Sequence, residues 1–426
     1  MKYLKRANPP VKADQETVQR LVSSMLEKIR LEGEQAVQKF AKDLDGFTGN
    51  FRISADEIES AADRIAPELR EAIDFALDQV VNFAQLQRST LTDLEVETFP
   101  GVVIGHRHIP IDSVCAYVPG GRYSLIASAY MGVAPAKVAG VERVIVCTPP
   151  RNGFVHPGLL YAAHRAGADE IYAVGGVQAL GAAAYGAING LNPVDMIVGA
   201  GNQYVVEAKR QLYGTVGIDL LAGPTEIGVL ADDTADPFIV ACDLVGQAEH
   251  DPLSRAVLIT TSESLGEKVL AQMESHLAAV STQEVARACW NNGGEVIVVE
   301  SEEELIEISD KMALEHVEIL MESPQRMIRR LRNYGSLFVG EETTVAYGDK
   351  VSGANHVLPT HRSARFTGGL WVGKYLKTVT YQHMTPLGSV EMGRRCDIES
   401  QAEGMFAHAR TASVRVARYS EGSTGK

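Results

Sequence analysis

The sequence has little cysteine, no long apolar run and no excess of positive charge. Its five cysteines are scattered, odd in number and never spaced C-x-x-C, which argues against a disulfide framework and a thiolate zinc site. No apolar run is long enough to span a bilayer, and the N-terminus lacks the apolar core of a signal peptide. We therefore expect a cytoplasmic protein with no membrane partner. The net charge of -14, with no basic stripe, predicts no nucleic-acid partner.

The composition is that of a globular protein, with 45% hydrophobic and 22% charged residues. A chain of 426 residues is too long for one ordinary core and predicts two or more domains. Residues 15–87 have apolar positions at helical spacing, and Ser54 with Glu57 matches a capping box. The tail after Thr385 is mostly polar and also reads as helical.

Between these ends, strand and helix patterns alternate. Short apolar runs and Ala-rich helical stretches alternate from Ile111 to Gly223, with IDLLAGP as the last predicted strand. A second alternating block, which includes a predicted helix over PQRMIRRLRNYG, extends to about residue 341. We predict an α/β fold of two doubly wound, incomplete Rossmann-like parallel-sheet domains, with a helical N-terminal region and a helical C-terminal arm. Glycines follow several strands, as in GAGNQY, where they either admit a phosphate or serve packing alone.

The stretch LVGQAEHDP (Leu244–Pro252) ends one of the predicted helices. Asp236 and Pro237 suit the start of that helix, as cap and first residue. Gln247 and His250 lie three residues apart and so share a helix face. A strand end beside a helix end is where α/β domains place ligands. His250 is either a metal ligand or a cation that interacts with the helix dipole.

Two further stretches combine polar groups that suit catalysis. In ALEHVEI, Glu315 and His316 precede a strand, and a carboxylate with an imidazole can remove protons in two successive steps. In VAYGDKVSGANHVLPT, glycines surround Asp349 and His356, which is typical of a binding loop. Asp349 would complete a metal site with His250. The alternative for each stretch is an ordinary loop.

Three other residues carry weaker predictions. Glu403 and His408 are five apart, about 140° around a helix, so they share a site only at a helix start or across an interface. The alternative for them is an exposed helix. Cys289 is a candidate nucleophile for a cysteine-dependent aldehyde dehydrogenase, although no activating base is recognisable beside it.

Taken together, the motifs resemble the successive signatures of the histidinol dehydrogenase family: YVPGGRYSLIASAYMGVAPAKVAG, GPTEI, QAEHDP, LEHVEI, YGDKVSGANHVLPT and EGMFAHA. They occur in the family's order and extend from roughly the first helices to the tail. The resemblance implies an oxidoreductase that uses zinc, one ion per subunit, and NAD. Such an enzyme oxidises a small polar primary alcohol through the aldehyde to the carboxylate. It also implies a homodimer in which each tail completes the partner's site.

The resemblance assigns roles residue by residue. The implied zinc ligands are Gln247, His250, Asp349 and His408, with the tail histidine supplied by the other subunit. Glu315 and His316 match the catalytic acid/base pair. The implied NAD contacts are Tyr117, Gln178 and Asn202. The implied substrate contacts are Thr225, Gln247, His250, His316, Asp349, Glu403 and His408.

The resemblance also implies a division of the chain. Residues 1–114 with 229–384 would form the zinc-binding and catalytic domain, 115–228 the NAD-binding domain, and 385–426 an arm that contributes to the partner subunit's site. A non-catalytic zinc- or dinucleotide-binding protein is the alternative in another class, and it predicts that a catalytic group is missing.

Three departures from the family pattern concern the substrate. Leu314 stands where the family usually has proline, and His361 with Arg362 stands where the family is usually Gly-rich. The stretch TGGLWVGKYLK is closer to a paralogous branch. That branch includes an enzyme acting on 2,3-dihydroxypropane-1-sulfonate, so the substrate is either L-histidinol or a related alcohol. Arg362 or Arg365 either binds an anionic group of the substrate or is an ordinary surface residue.

Overall fold

The structure, a computed structural model, describes residues 1–8 and 15–420. Its contacts divide the chain into two compact units. The large unit comprises residues 1–87 and 111–375, and the small unit comprises residues 88–110 and the chain from Leu376 onward.

The N-terminal region is helical after one short strand, β1 (Lys2–Lys5). Its helices are α1 (Gln15–Glu32), α2 (Glu34–Asp45), α3 (Ala55–Glu59) and α4 (Pro67–Ser89). Ser54 Oγ accepts the Glu57 N–H at 3.2 Å, so the predicted cap is present. Strands β2 (Leu94–Phe99) and β3 (Val102–Pro110) follow.

A five-stranded parallel sheet occupies residues 113–218. Its strands are β4 (Ser113–Tyr117), β5 (Arg143–Thr148), β6 (Glu170–Ala173), β7 (Met196–Val198) and β8 (Gly217–Ile218). The helices between them are α5 (Ile126–Ala139), α6 (Pro157–Arg165), α7 (Gly176–Tyr185) and α8 (Gln203–Leu212). The strand order β6-β5-β4-β7-β8 is that of a doubly wound sheet.

A six-stranded sheet follows in the chain and adds β1 at its edge. Its remaining strands are β9 (Glu226–Ala231), β10 (Arg255–Thr260), β11 (Gly294–Val298), β12 (His316–Leu320) and β13 (Ser336–Val339). Its helices are α9 (Pro237–Ala248), α10 (Glu263–Ala279), α11 (Gln283–Gly293), α12 (Glu302–Met312) and α13 (Val345–Lys350). The order is β1-β11-β10-β9-β12-β13, with only β1 antiparallel to its neighbour among these paired strands.

Both sheets therefore share one winding order, which confirms the predicted fold class. Alternate residues of the second sheet enter two apolar layers. Ile227 and Leu258 pack with α9, α10 and α11, whereas Val257 and Val317 pack with α12. A strand buried on both faces reads as a continuous apolar run, which is why the sequence pattern was informative.

Two predicted elements are shorter than the pattern indicated. The run IDLLAGP contributes only Ile218 to β8, because the Asp219 carboxylate accepts the Leu220 N–H and turns the backbone away. The predicted helix PQRMIRRLRNYG is a 3-10 turn, Pro324–Arg329. The Asp310 carboxylate accepts the N–H groups of the two residues at positions 332 and 333 just beyond this turn.

The small unit contains strand β14 (Leu376–Met384) and helices α14 (Pro386–Ala402) and α15 (Phe406–Ser420). β14 and β2 both pair with β3 in an antiparallel sheet. The two helices confirm the helical tail. The three strands were not predicted, and their pairing places residues 88–110 with the tail rather than with the N-terminal helices. In the described chain no helix is long and apolar enough to cross a membrane.

Candidate active site

Six of the predicted site residues lie together in the large unit, where α9 and strands β9 and β12 meet. Thr225 directly precedes β9, Glu315 directly precedes β12, and His316 begins β12. Because the two strands are parallel, their first residues share one edge. This is the amino edge of the sheet, whereas open α/β sheets usually bind ligands at the carboxyl edge. The prediction from strand ends did not distinguish the two edges.

A chain of short hydrogen bonds joins Glu315 to the helix that carries Gln247. Thr225 Oγ1 donates to Glu315 Oε2 at 2.6 Å and accepts from Gln247 Nε2 at 2.6 Å. The Glu226 N–H also donates to Glu315 Oε2, at 3.0 Å. Since the amide nitrogen of Gln247 is engaged, its carbonyl oxygen is the atom that it can offer to a cation.

His316 has one engaged and one available ring nitrogen. Its Nδ1 lies 3.0 Å from the carbonyl oxygen of Glu226, and a carbonyl only accepts, so Nδ1 carries the proton. Its Nε2 is buried and has no hydrogen-bond partner in the protein. In the neutral ring Nε2 is therefore a base held in a fixed direction, which is the arrangement that general base catalysis requires.

The environment shifts the pKa values of this pair. Burial raises the pKa of Glu315 to about 7, despite the nearby His316 and the hydrogen bond from Thr225. Burial disfavours the charged form of His316, but the carboxylates of Glu315 and Asp349 outweigh it and raise its pKa to about 9. Burial acts on Asp349 too, yet the imidazole of His316, 3.7 Å away, holds the pKa of Asp349 well below the usual range. Perturbed groups of this kind cluster at functional sites.

Asp349 lies between two imidazoles. Its Oδ2 is 3.9 Å from His250 Nε2 and its Oδ1 is 3.7 Å from His316 Nε2. Two atoms bonded to one zinc ion at about 2.1 Å lie roughly 3.4 Å apart at the tetrahedral angle and roughly 4.2 Å apart when collinear, so the spacing of Asp349 and His250 falls within that range. Burial also lowers the pKa of His250, which favours the neutral ring that a metal needs.

No group of three His, Cys, Asp or Glu side chains within residues 1–8 and 15–420 is arranged to hold a metal. The other two predicted zinc ligands are an amide, Gln247, and a histidine of the small unit, His408. Of the predicted ligands, the large unit thus contains two of the usual type, His250 and Asp349, and one amide, Gln247.

One buried carboxyl near the pair was missed by the sequence analysis. Glu318 lies two residues after His316 on the same face of β12, fully buried, and its Oε1 accepts the Val345 N–H at 2.8 Å. That N–H begins α13, the helix that carries Asp349 near its other end. Burial and the neighbouring Asp243 raise the pKa of Glu318 to about 8. In the sequence, Glu318 read only as a polar position in a strand.

The predicted NAD contacts form a second group, at the carboxyl edge of the five-stranded sheet. Tyr117 ends β4, and its hydroxyl accepts the Gly176 N–H at 3.1 Å. Gln178 is buried in the first turn of α7, and its Nε2 donates to Asp45 while its Oε1 has no partner. Asn202 caps α8. Two helix N-termini with glycine turns at a carboxyl edge suit a phosphate-bearing ligand.

The GAGN turn before α8 rests on a buried ion pair that the sequence analysis missed. Lys209 and Asp219 are hydrogen-bonded, and both side chains have no exposure. Lys209 Nζ donates to the Gly199 carbonyl at 2.7 Å, and Asp219 accepts the Gly199 N–H at 2.8 Å. The pair therefore fixes both backbone groups of the first glycine in the turn.

Contacts within the large unit connect the two groups. Ser128 Oγ, on α5, lies 3.0 Å from His356 Nε2. The Tyr130 hydroxyl donates to the Lys350 carbonyl at 2.6 Å. The loop after α13 thus packs on the helix that follows β4, so the carboxyl edge of one sheet lies near the amino edge of the other.

Comparison with known proteins decides the family. A sequence profile described as histidinol dehydrogenase matches residues 9–416. A histidinol dehydrogenase homolog of Shouchella clausii is 50% identical over 94% of this chain and 95% of its own. The sulfopropanediol 3-dehydrogenase of Ruegeria pomeroyi is 46% identical over 98% and 97%. The crystal structure of histidinol dehydrogenase from Elizabethkingia anophelis has a TM-score of 0.91 at 34% identity, covering 96% and 94%.

The chain belongs to the histidinol dehydrogenase family. It is therefore an oxidoreductase of that family, as the motifs predicted.

The two family positions in the tail lie in the small unit. Glu403 ends α14 and His408 lies in α15, and both are exposed. Gly404, at a φ of 77°, separates the two helices, so the two residues do not share one helix as the spacing argument assumed.

Cys289 is unsuited to the alternative of a cysteine nucleophile. It is fully buried in α11, and its thiol donates to the Ser254 carbonyl. Burial raises the pKa of the Cys289 thiol to about 12, whereas a nucleophilic cysteine must be a thiolate.

Arg362 and Arg365 are both exposed, and Arg365 Nε donates to the Arg362 carbonyl.

Proposed function

We propose that this family member oxidises a small polar primary alcohol through the aldehyde to the carboxylate, with NAD as hydride acceptor and zinc as metal ion. The observation that carries the proposal is His316 itself. Its Nδ1 is fixed by the Glu226 carbonyl, and its buried Nε2 has no hydrogen-bond partner. The carboxylates of Glu315 and Asp349 lie beside the ring, near Nδ1 and Nε2 respectively. A base in this position needs a substrate proton to complete its hydrogen bonding.

The first oxidation requires one base. The neutral form of His316, which forms as the pH rises towards its pKa of about 9, takes the hydroxyl proton of the alcohol at Nε2 as the carbon gives a hydride to NAD. This step leaves an aldehyde, NADH and a protonated His316. Glu315 and Asp349 stabilise the imidazolium, because both carboxylates lie within 4 Å of the ring nitrogens. At neutral pH Asp349 is charged, because its pKa is lowered, and Glu315 is partly protonated, because its pKa is about 7.

The second oxidation requires a water molecule. Glu315, with a pKa raised to about 7, can take a proton from water as the water oxygen attacks the aldehyde carbon. The hydrated aldehyde then gives a second hydride to a second NAD and becomes the carboxylate. Because Glu315 and His316 are almost completely buried, the aldehyde is retained rather than released.

The proposed metal and nucleotide each have candidate positions. His250 and Asp349, with the Gln247 carbonyl, would hold the ion, and the orphaned Gln178 Oε1 is an acceptor for a nucleotide hydroxyl. A bound zinc ion would supply Lewis-acid polarisation of the substrate oxygen. Since His408 lies in the small unit, we propose that a homodimer supplies it from the partner subunit, and that the protein acts in the cytoplasm.

The substrate is either L-histidinol or a related alcohol such as 2,3-dihydroxypropane-1-sulfonate. Relatives named for each chemistry cover nearly the whole chain. The test is NADH formation by the purified, zinc-loaded protein with a panel that includes both alcohols. Absence of turnover with every alcohol, in a folded and zinc-loaded sample, would leave the alternative of a non-catalytic zinc- or dinucleotide-binding protein.

A further inference from the structure

A strained turn follows the sequence VLPT. His361 and Arg362 have φ angles of 52° and 64°, and they are the only consecutive pair of non-glycine residues with positive φ in the described parts of the chain. Positive φ is uncommon for side chains of this size and costs of order 1 kcal/mol or more per residue. The surrounding structure must therefore hold this turn in place.

Two contacts hold the turn, and both lead to the active site. Thr360 is fully buried, and its Oγ1 accepts the Gly223 N–H at 2.8 Å. The Glu226 carboxylate accepts the backbone N–H of His361. The backbone of Glu226 at the same time donates to Glu315 and accepts from His316. The strained turn is thus fixed to the residue that orients the catalytic pair.

The imidazole of His361 lies against the segment just before β9, and that segment contributes to the site. A methyl group on Gly223 would lie 2.7 Å from His361 Nε2 and 3.2 Å from its Cδ2. Gly223 is only two residues before Thr225, whose hydroxyl bonds Glu315. The residue is also exposed to solvent, so its ring lies at the surface beside Gly223 rather than in the core.

We propose that His361 is a specificity-determining residue, which narrows the mouth of the active site and restricts it to compact alcohols. The inference rests on the proposed function. Glycine at position 361 would adopt positive φ without strain and would leave the volume beside Gly223 open. This chain accepts the strain and places a ring there, so a substrate with its own ring, such as histidinol, is disfavoured relative to a three-carbon diol.

The experiment measures kcat/KM for histidinol and for 2,3-dihydroxypropane-1-sulfonate in wild type and in His361→Gly. Exclusion of a few atoms from a pocket is worth about 10- to 200-fold in specificity. We expect the ratio of histidinol to sulfonate to rise at least tenfold in the glycine variant. His361→Asn, which tolerates positive φ and is shorter, should raise the ratio by a smaller factor.

Asn152→Gly is the matched control. Asn152 also has positive φ, at 53°, in an exposed turn, and its replacement removes the same kind of strain without touching the site. The control should leave the ratio unchanged. An unchanged ratio in both His361 variants, or an equal rise in Asn152→Gly, overturns the inference while the proposed function stands. A wild type that oxidises neither of these two alcohols overturns the inference, and a wild type that oxidises no alcohol of the panel overturns the proposed function as well.

Discussion

The buried pair of Lys209 and Asp219 allows a quantitative prediction about the turn at the proposed nucleotide site. Lys209→Met removes the ammonium and leaves Asp219 buried without its counter-charge. Breaking a buried pair in this way costs about 3–5 kcal/mol. Asp219 keeps two backbone donors, from Gly199 at 2.8 Å and Leu220 at 2.7 Å, so we expect a loss near the lower end, about 3 kcal/mol.

The assay is urea-induced unfolding at pH 7, followed by circular dichroism, with NAD affinity measured by calorimetry on the folded protein. Adding Asp219→Asn to Lys209→Met removes the stranded charge and should recover about 1–2 kcal/mol. NAD affinity should fall in the single variant, because Lys209 fixes the Gly199 carbonyl in the turn before Asn202.

Lys137→Met is the control for the loss of a lysine in another helix of the same βα alternation, α5. Lys137 pairs with Asp169 at 2.6 Å, but both side chains are partly exposed, so the loss should stay below about 1 kcal/mol. The reasoning fails if Lys209→Met costs no more than Lys137→Met. It also fails if the double variant is no more stable than Lys209→Met alone.

The remaining predictions concern the buried groups of β12. Glu318 has a folded-state pKa of about 8, above its unfolded value, so the folded protein binds more protons and loses stability as pH rises from about 4.5 to 8. Glu318→Gln should remove on the order of 2 kcal/mol of that loss. Thermal unfolding of the wild type and the variant at pH 6 and pH 8.5 would reveal the difference. Equal pH dependence in the two proteins would contradict the raised pKa of Glu318. His316→Asn should lower kcat about 10²- to 10⁴-fold with unchanged NAD affinity, and a loss under tenfold would exclude His316 as the base.

Elements with local signals were predictable from the sequence. Asp236 and Pro237 do begin α9, because a cap and a first-turn proline act on residues within one turn. The pairing of β3 with β14 was not predictable. His383 pairs with Val103 across most of the chain length, and no local pattern in either strand specifies so distant a partner.

The site shows the same contrast. Glu315 and His316 were found because they match a family motif, since an adjacent acid and imidazole also occur at Glu249 and His250 and the pair alone is not distinctive. Glu226 and Glu318 were not found, because their roles depend on backbone groups and neighbouring elements rather than on spacing. The sequence also did not determine which edge of the sheet carries the site, because a strand pattern does not give the order in which the strands lie in the sheet.

The number of NADH molecules formed per alcohol consumed tests the central claim most directly. In the zinc-loaded wild type we expect two, with the carboxylate as the only product. In Glu315→Gln we expect one, with the aldehyde retained or released, because the base for the second step is absent while His316 still serves the first. One NADH per alcohol in the wild type, with aldehyde accumulating, would contradict the account.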